Sequence, residues 1–184
     1  DDNAANRFAA DLRGFSERDI VQLPSRELVM ADVVGVSRGY EQRRLAALDE
    51  LTEAHFAVAS VQAAAQRTMP PEALKAAIVS LATGETAPLD ELAQSLTRAG
   101  YERCVQVEGT GQFSIRGGIL DVFPPQAEHP YRVEFWDDEI DSISTFDVGS
   151  QRRLEQCECL RCLPCMESIP ALAKGGAAGL AKAV

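Results

Sequence analysis

The sequence lacks any uninterrupted apolar run of about 18 residues, the length that a membrane-spanning helix requires. It also lacks a basic excess: the 184-residue chain has 28 acidic and 18 basic side chains, and its formal net charge is −10. Proteins that wrap duplex DNA gain affinity by neutralising phosphates with Lys and Arg. We therefore expect neither a membrane protein nor a chain whose direct ligand is DNA.

No basic and then apolar leader opens the sequence, which argues against a secretory signal. The cysteines also differ from a secreted disulfide framework, because their number is odd and four of the five lie within nine residues. They are Cys104, Cys157, Cys159, Cys162 and Cys165. We expect a cytoplasmic protein.

The four clustered cysteines are the only candidate metal ligands with suggestive spacing. Four thiolates could hold zinc or an iron–sulfur cluster, but structural zinc usually takes two Cys-x-x-Cys pairs separated by a longer loop. If 154–163 is one strand, Cys157 and Cys159 share a face and Cys162 points to the other side. We predict free thiols and no metal or other cofactor; a metal-stabilised module is the alternative.

Residues for catalysis are scarce. The two histidines, His55 and His129, lie in no nucleophile or metal motif. A phosphate-binding loop would need Gly-x-x-x-x-Gly-Lys-Ser/Thr, and the glycine-rich stretch 175–182 lacks both the lysine after its last glycine and a hydroxyl after that. The acidic run 137–141 is typical of a solvated turn. The sequence therefore favours a non-catalytic, binding role.

The first third of the chain alternates helical and strand patterns. Apolar spacing predicts helices over 3–15, 38–54 and 61–67, with short buried strands over 20–24 and 56–60. This order is typical of an α/β domain with a covered parallel sheet.

Pro70-Pro71 indicates a boundary, because two prolines restrict the backbone there. The segment 72–82 fits either a helix or a strand. A helix is predicted over 88–99, since proline stands in its first turn and Gly100 follows its end.

From residue 101 the pattern indicates an antiparallel sheet. A hairpin is predicted across Asp137-Asp138, because Asp tolerates the backbone angles of a tight turn. Another is predicted around Gly109-Thr110-Gly111, and Gly117-Gly118 indicates a bend. The predicted strands are 103–108, 112–116, 119–123, 131–136, 139–146 and 154–163.

The Ala- and Gly-rich tail 171–184 suggests a piece of a longer protein.

Two arginines form the candidate binding site. The hairpin around residue 110 would bring Arg103 close to Arg116 at the end away from the turn. Phe113 would join them if the glycines introduce a bulge. Arginine and aromatic side chains dominate the energetics of protein interfaces, so this patch predicts protein binding.

The longest motif in the chain carries a family resemblance. It runs from Gly100-Tyr101-Glu102-Arg103 through Phe113-Ser114-Ile115-Arg116-Gly117-Gly118-Ile119-Leu120-Asp121-Val122-Phe123-Pro124 to 131–143. This block resembles the bacterial transcription-repair coupling factors, and a similar block occurs in the excision-repair protein UvrB. The likeness covers about 50–165 well and the start more loosely.

The resemblance implies a UvrB-like N-terminal region in which a degenerate nucleotide-binding-like α/β domain is interrupted by a smaller α+β domain. It places the first domain at 1–68, the inserted domain at 69–148 and the return at 149–184. The inserted domain would bind UvrA through Arg103, Arg116 and Phe113, and RNA polymerase and DNA would bind only other domains of the full-length protein. The alternative is a fragment of the UvrB helicase, which would bind ATP.

Overall fold

The structure is a computed structural model that describes residues 1–26, 38–54 and 56–167. Within these ranges, a parallel two-stranded sheet with helices is followed by a mainly antiparallel region. The predicted mixed α/β class is confirmed at that level. In the described part, no helix is long and apolar enough to cross a membrane.

The first region pairs its two strands in parallel, as the helix–strand alternation predicts. Ile20 on β1 lies opposite Phe56 on β2. Helix α1 begins where the Asp1 carboxylate accepts a hydrogen bond from the Ala4 N–H. The elements are α1 (Asp2–Phe15), β1 (Ile20–Leu23), α2 (Arg38–Glu50), β2 (Phe56–Ala59) and α3 (Val61–Ala65).

Helices cover both faces of this parallel pair. On one face α1 packs Ala5 and Ala9 against Ile20 and Val58. On the other face Val21 and Leu23 pack against Ala47 of α2. Small alanines let the helices approach the short strands closely, which covers a sheet too narrow to bury larger side chains.

The ambiguous segment after Pro70-Pro71 contains a helix and then a strand. Helix α4 (Pro71–Ala77) has proline in its first turn, where a missing N–H costs nothing. Strand β3 (Val79–Ala82) follows, and α5 (Leu89–Arg98) confirms the helix predicted over 88–99.

A six-stranded sheet with the order β4-β5-β6-β7-β8-β9 dominates the second region. The hairpin across Asp137-Asp138 is confirmed, and Asp137 has a positive φ of 58°. The strands are β4 (Glu102–Arg103), β5 (Gln112–Arg116), β6 (Ile119–Val122), β7 (Tyr131–Trp136), β8 (Glu139–Phe146) and β9 (Arg153–Cys157).

The predicted hairpin around residue 110 is wrong. Strand β4 pairs with β5 in parallel, so that Arg103 lies opposite Phe113 and not close to Arg116. The residues between the two strands form a loop that returns the chain to the same end of the sheet. The glycines of this loop therefore do not bring Arg103 and Arg116 together.

The predicted single strand over 154–163 is also wrong. The chain leaves the large sheet after Cys157, and β10 (Cys159–Cys162) pairs with β3 in a separate antiparallel sheet. Glu158 lies at the break, where its carbonyl accepts a hydrogen bond from the Thr83 N–H. The predicted tail over 171–184 lies outside the described residues.

The core of the second region lies between the large sheet and α5. Leu92 and Leu96 of α5 pack against one face of the sheet. That face, here called the core face, carries Phe113, Leu120, Val122, Val133, Ile140 and Ile143.

Ion pairs join α2 to the second region. Arg44 Nε lies 3.1 Å from Glu167 Oε2, and both side chains are buried. Closer to the surface, Arg161 makes a two-pronged ion pair with Asp49, in which Nη2 lies 2.7 Å from Oδ1. These pairs fix α2 against the segments that follow the large sheet.

Candidate protein-interaction surface

The side of the large sheet opposite α5 is polar. Because side chains alternate along a strand, every second residue of β5 to β9 points away from the core face. The register places these residues side by side across the strands. This outer face carries Ser114, Arg116, Ile119, Asp121, Arg132, Glu134, Trp136, Glu139, Ser142, Ser144, Phe146, Arg153 and Gln156.

A buried carboxylate joins two arginines at the centre of the outer face. Asp121 Oδ1 accepts a 2.7 Å hydrogen bond from Arg132 Nε, and Oδ2 accepts 2.9 Å bonds from Arg132 Nη2 and Arg116 Nη2. The hydrogen bond to Asp121 raises the pKa of Arg132. The Arg132 guanidinium also lies 4.4 Å from the ring centre of Phe146. Asp121 and Phe146 thus both hold the Arg132 guanidinium in place.

A second ion pair lies beside the first. Glu134 Oε1 is 3.0 Å from Arg153 Nη2, and Glu134 Oε2 accepts a 2.9 Å hydrogen bond from the Ser142 hydroxyl. The hydrogen bond from Ser142 and the ion pair with Arg153 lower the pKa of Glu134. With Glu139, which lies opposite Trp136 on this face, three carboxylates balance the three arginines of the outer face.

The outer face opens towards solvent at one end. Trp136 is 81% exposed, although it is the largest side chain in the sheet. The β5–β6 turn lies beside it: a Cβ on Gly118 would be 3.0 Å from the Phe135 carbonyl oxygen. Arg116 precedes this turn and its side chain is 50% exposed. The exposed end thus combines a cation, a carboxylate (Glu134) and an indole.

The structure does not bring together the three residues predicted as the site. Arg103 lies opposite Phe113 in the parallel pair and therefore projects towards the α5 side, where it lines a shallow cavity with Gln94, Thr97 and Arg98. Arg116 points to the outer face. The two arginines are exposed, but on opposite sides of the sheet.

Phe113 is fully buried in the core. It points away from Arg116, as the odd spacing of the two residues requires, and no bulge turns it outward. Its ring packs beneath β5 and presents no surface to a partner.

The cysteines among the described residues are free thiols. Cys162 and Cys165 belong to the core, whereas Cys159 is exposed. Burial raises the pKa of Cys162 to about 12. Among the described residues, no group of three or more His, Cys, Asp or Glu side chains could hold a metal ion.

Sequence reasoning missed Asp121, Arg132 and Trp136. The signal for two of them was present, because 131–136 alternates apolar and polar residues and so places Arg132, Glu134 and Trp136 on one face. Recognising Asp121 as a partner of both arginines required the pairing of β6 with β5 and β7.

The fold and the outer face define a protein-interaction module: a rigid sheet that presents a charged and aromatic surface. Residues 79–167 match the family model described as "UvrB interaction domain". The prediction that this region binds and does not catalyse is confirmed by that match.

The chain as a whole is similar to transcription-repair-coupling factors, as the motif analysis predicted. It is 36% identical to that of Bacillus subtilis (strain 168) over 90% of this chain and 14% of the relative. For Escherichia coli (strain K12) the identity is 33%, over 89% of this chain and 14% of the relative. For Haemophilus influenzae it is 32%, over 91% and 15%. The chain thus spans about one seventh of the length of these relatives.

Proposed function

We propose that this chain binds UvrA, as the module with which a transcription-repair-coupling factor recruits nucleotide excision repair to stalled RNA polymerase. The match of residues 79–167 to the UvrB interaction domain is the observation that carries the proposal. Contacts with RNA polymerase and DNA belong to other domains of the full-length protein in this proposal. The acidic net charge of −10 supports a protein as the direct ligand of this part.

The exposed end of the outer face is the proposed contact surface. Arg and Trp are over-represented among the residues that dominate binding energy, and here Arg116 and Trp136 lie on the same face of the sheet, two strands apart. Because Arg116 has several N–H donors, it can make charge-assisted hydrogen bonds with acidic groups on UvrA. Such bonds are worth about 1.5–3 kcal/mol each.

Arg103 is proposed as a separate, peripheral contact. It is exposed, but on the α5 side of the sheet, so a partner could reach it only by wrapping around the β4 edge. Phe113 takes part only indirectly, since its buried ring supports the strand that carries Arg116.

We also propose that the first region is a degenerate nucleotide-binding-like domain into which the interaction domain is inserted. The parallel pairing of β1 and β2, with helices on both faces, supports this plan. In this proposal the return to the first domain begins after residue 162, later than the expected 149, and the pairing of β9 and β10 with strands of the second region supports it.

Binding measurements with charge-reversed variants test the proposal. Purified chain is titrated with UvrA by calorimetry, using wild type, Arg116→Glu and Arg103→Glu. We expect Arg116→Glu to weaken binding by roughly 10- to 150-fold and Arg103→Glu to have a smaller effect. Arg7→Glu is the matched control, since Arg7 is exposed on α1.

A folded wild type without affinity for UvrA would contradict the proposed function. Equal weakening by Arg7→Glu and Arg116→Glu would instead contradict the proposed surface, because it would reveal only a general effect of charge.

A further inference from the structure

Asp121 is a buried carboxylate that is shared by two arginines on the outer face. Its side chain is 2% exposed, and it lies on β6 opposite Ser114 of β5 and Arg132 of β7. We propose that Asp121 is a positioning residue, which holds the Arg116 guanidinium in the conformation that binds UvrA. The inference rests on the proposed function and deepens it.

The two arginines depend on Asp121 to different degrees. Arg132 is also fixed by Phe146 and by a 3.1 Å hydrogen bond from its Nη2 to Gln151 Oε1. For Arg116, the bond to Asp121 is the one hydrogen bond of the guanidinium to another described residue. It uses one Nη2 hydrogen and leaves most of the five N–H donors for a partner. Loss of Asp121 therefore frees Arg116 more than Arg132.

Charge and positioning make opposite predictions for Asp121→Asn, which preserves the shape of the side chain. The substitution raises the charge of the outer face by one unit, and this change alone strengthens attraction to an acidic partner. Loss of positioning weakens binding, because UvrA must then immobilise a flexible arginine. In addition, Asn keeps only one of the two acceptor oxygens of Asp121, because an NH2 donor replaces the other and faces a guanidinium. The sign of the change in affinity therefore separates the two roles.

We expect positioning to dominate. Solvent around the half-exposed Arg116 screens the added charge from the partner, so that it tightens binding by at most about twofold to threefold. The cost of ordering one arginine on binding, together with the unfavourable contact between the Asn NH2 group and a guanidinium, weakens binding by roughly tenfold. The net expectation for Asp121→Asn is a three- to tenfold weaker affinity for UvrA, mostly through faster dissociation.

The test is a double-mutant cycle on the whole chain with UvrA as the probe. Dissociation constants are measured for wild type, Asp121→Asn, Arg116→Ala and the double variant. We expect Asp121→Asn to weaken binding in the wild-type background and to have no weakening effect once Arg116 is alanine. Asp49→Asn is the matched control, since Asp49 makes a similar two-pronged ion pair with Arg161 away from the outer face.

Equal or tighter binding by folded Asp121→Asn would overturn the inference, whereas a wild type that does not bind UvrA would overturn the proposed function. If Asp121→Asn does not fold, nitrogen relaxation of the Arg side chains in wild type decides. A positioned Arg116 has an Nε–H order parameter above about 0.6 before UvrA is added. An Arg116 as mobile as the exposed Arg7 would overturn the inference.

Discussion

The two faces of the large sheet are built from alternate residues of the same strands, yet they differ in every physical respect. The core face buries aliphatic and aromatic side chains against α5. The outer face holds charges in defined pairs, and some of them are as deeply buried as the core. Apolar burial, which does not depend on a fixed orientation of the side chains, therefore stabilises the core face. On the outer face, ion pairs and hydrogen bonds fix the positions of the side chains.

This difference separates the fold from recognition. Apolar burial contributes roughly 25 cal/mol per Å² wherever the surface is removed from water, so the core face stabilises the sheet as a whole. An ion pair has a fixed geometry and a large desolvation cost, which makes it a poor source of stability. Its value on the outer face is that it fixes where Arg116 and Glu134 present their polar atoms.

The largest expected effect is on the core face. Phe113→Ala removes a fully buried ring, and we expect it to lower the free energy of unfolding by about 3–5 kcal/mol. Urea denaturation followed by circular dichroism measures the change. Affinity for UvrA, corrected for the folded fraction, should stay the same because Phe113 lacks exposed surface.

Phe113→Leu is the control, and we expect it to cost less than about 1.5 kcal/mol since most of the apolar volume remains. A loss of affinity for UvrA by folded Phe113→Ala would contradict the separate roles of the two faces, because it would make a core residue part of the binding surface.

The next effect should reverse this pattern on the outer face. Trp136→Ala removes an exposed indole, so the free energy of unfolding should change by less than about 0.5 kcal/mol. If Trp136 anchors the partner, affinity for UvrA should fall by about 2 kcal/mol, or roughly 30-fold.

Phe15→Ala serves as the comparison, because Phe15 is an equally exposed aromatic residue on α1. If both substitutions leave affinity unchanged, Trp136 is merely a solvated side chain. If Trp136→Ala instead destabilises the fold, the indole packs on the sheet and does not await a partner.

The sequence predicted some connections between the strands better than others. The hairpin of β7 and β8 followed from strict alternation on either side of Asp137-Asp138. The loop before β5 did not, because a side chain closes it: Gln112 Oε1 accepts hydrogen bonds from the N–H groups of Glu108 and Gly109. A local reading of two glycines as a tight turn cannot anticipate a side chain that closes the loop.

The candidate surface was predictable only where its residues are close in sequence. Arg116 and Asp121 lie five residues apart across one turn, so their ion pair follows once that turn is known. Arg132 reaches the same carboxylate from β7, beyond the loop at 124–130, and this contact depends on strand pairing. Arg103 failed as a neighbour of Arg116 for the same reason, since a parallel pairing replaced the predicted antiparallel one.

The smallest expected effect tests whether the outer face contributes any stability through charge. The hydrogen bond from Ser142 and the ion pair with Arg153 lower the pKa of Glu134 below its usual 4.5. A carboxyl group with a lowered pKa stabilises the native state above that usual value, and the contribution disappears as pH falls from about 4.5 through the lowered pKa.

Because Glu134 is partly exposed, Glu134→Gln should cost only about 0.5 kcal/mol at pH 7. Urea denaturation of both proteins at pH 7 and at successively lower pH should show the difference closing below pH 4.5. Glu139→Gln, at the exposed first residue of β8, is the comparison variant. A difference for Glu134→Gln that is independent of pH would show that packing, and not charge, makes the outer face stable.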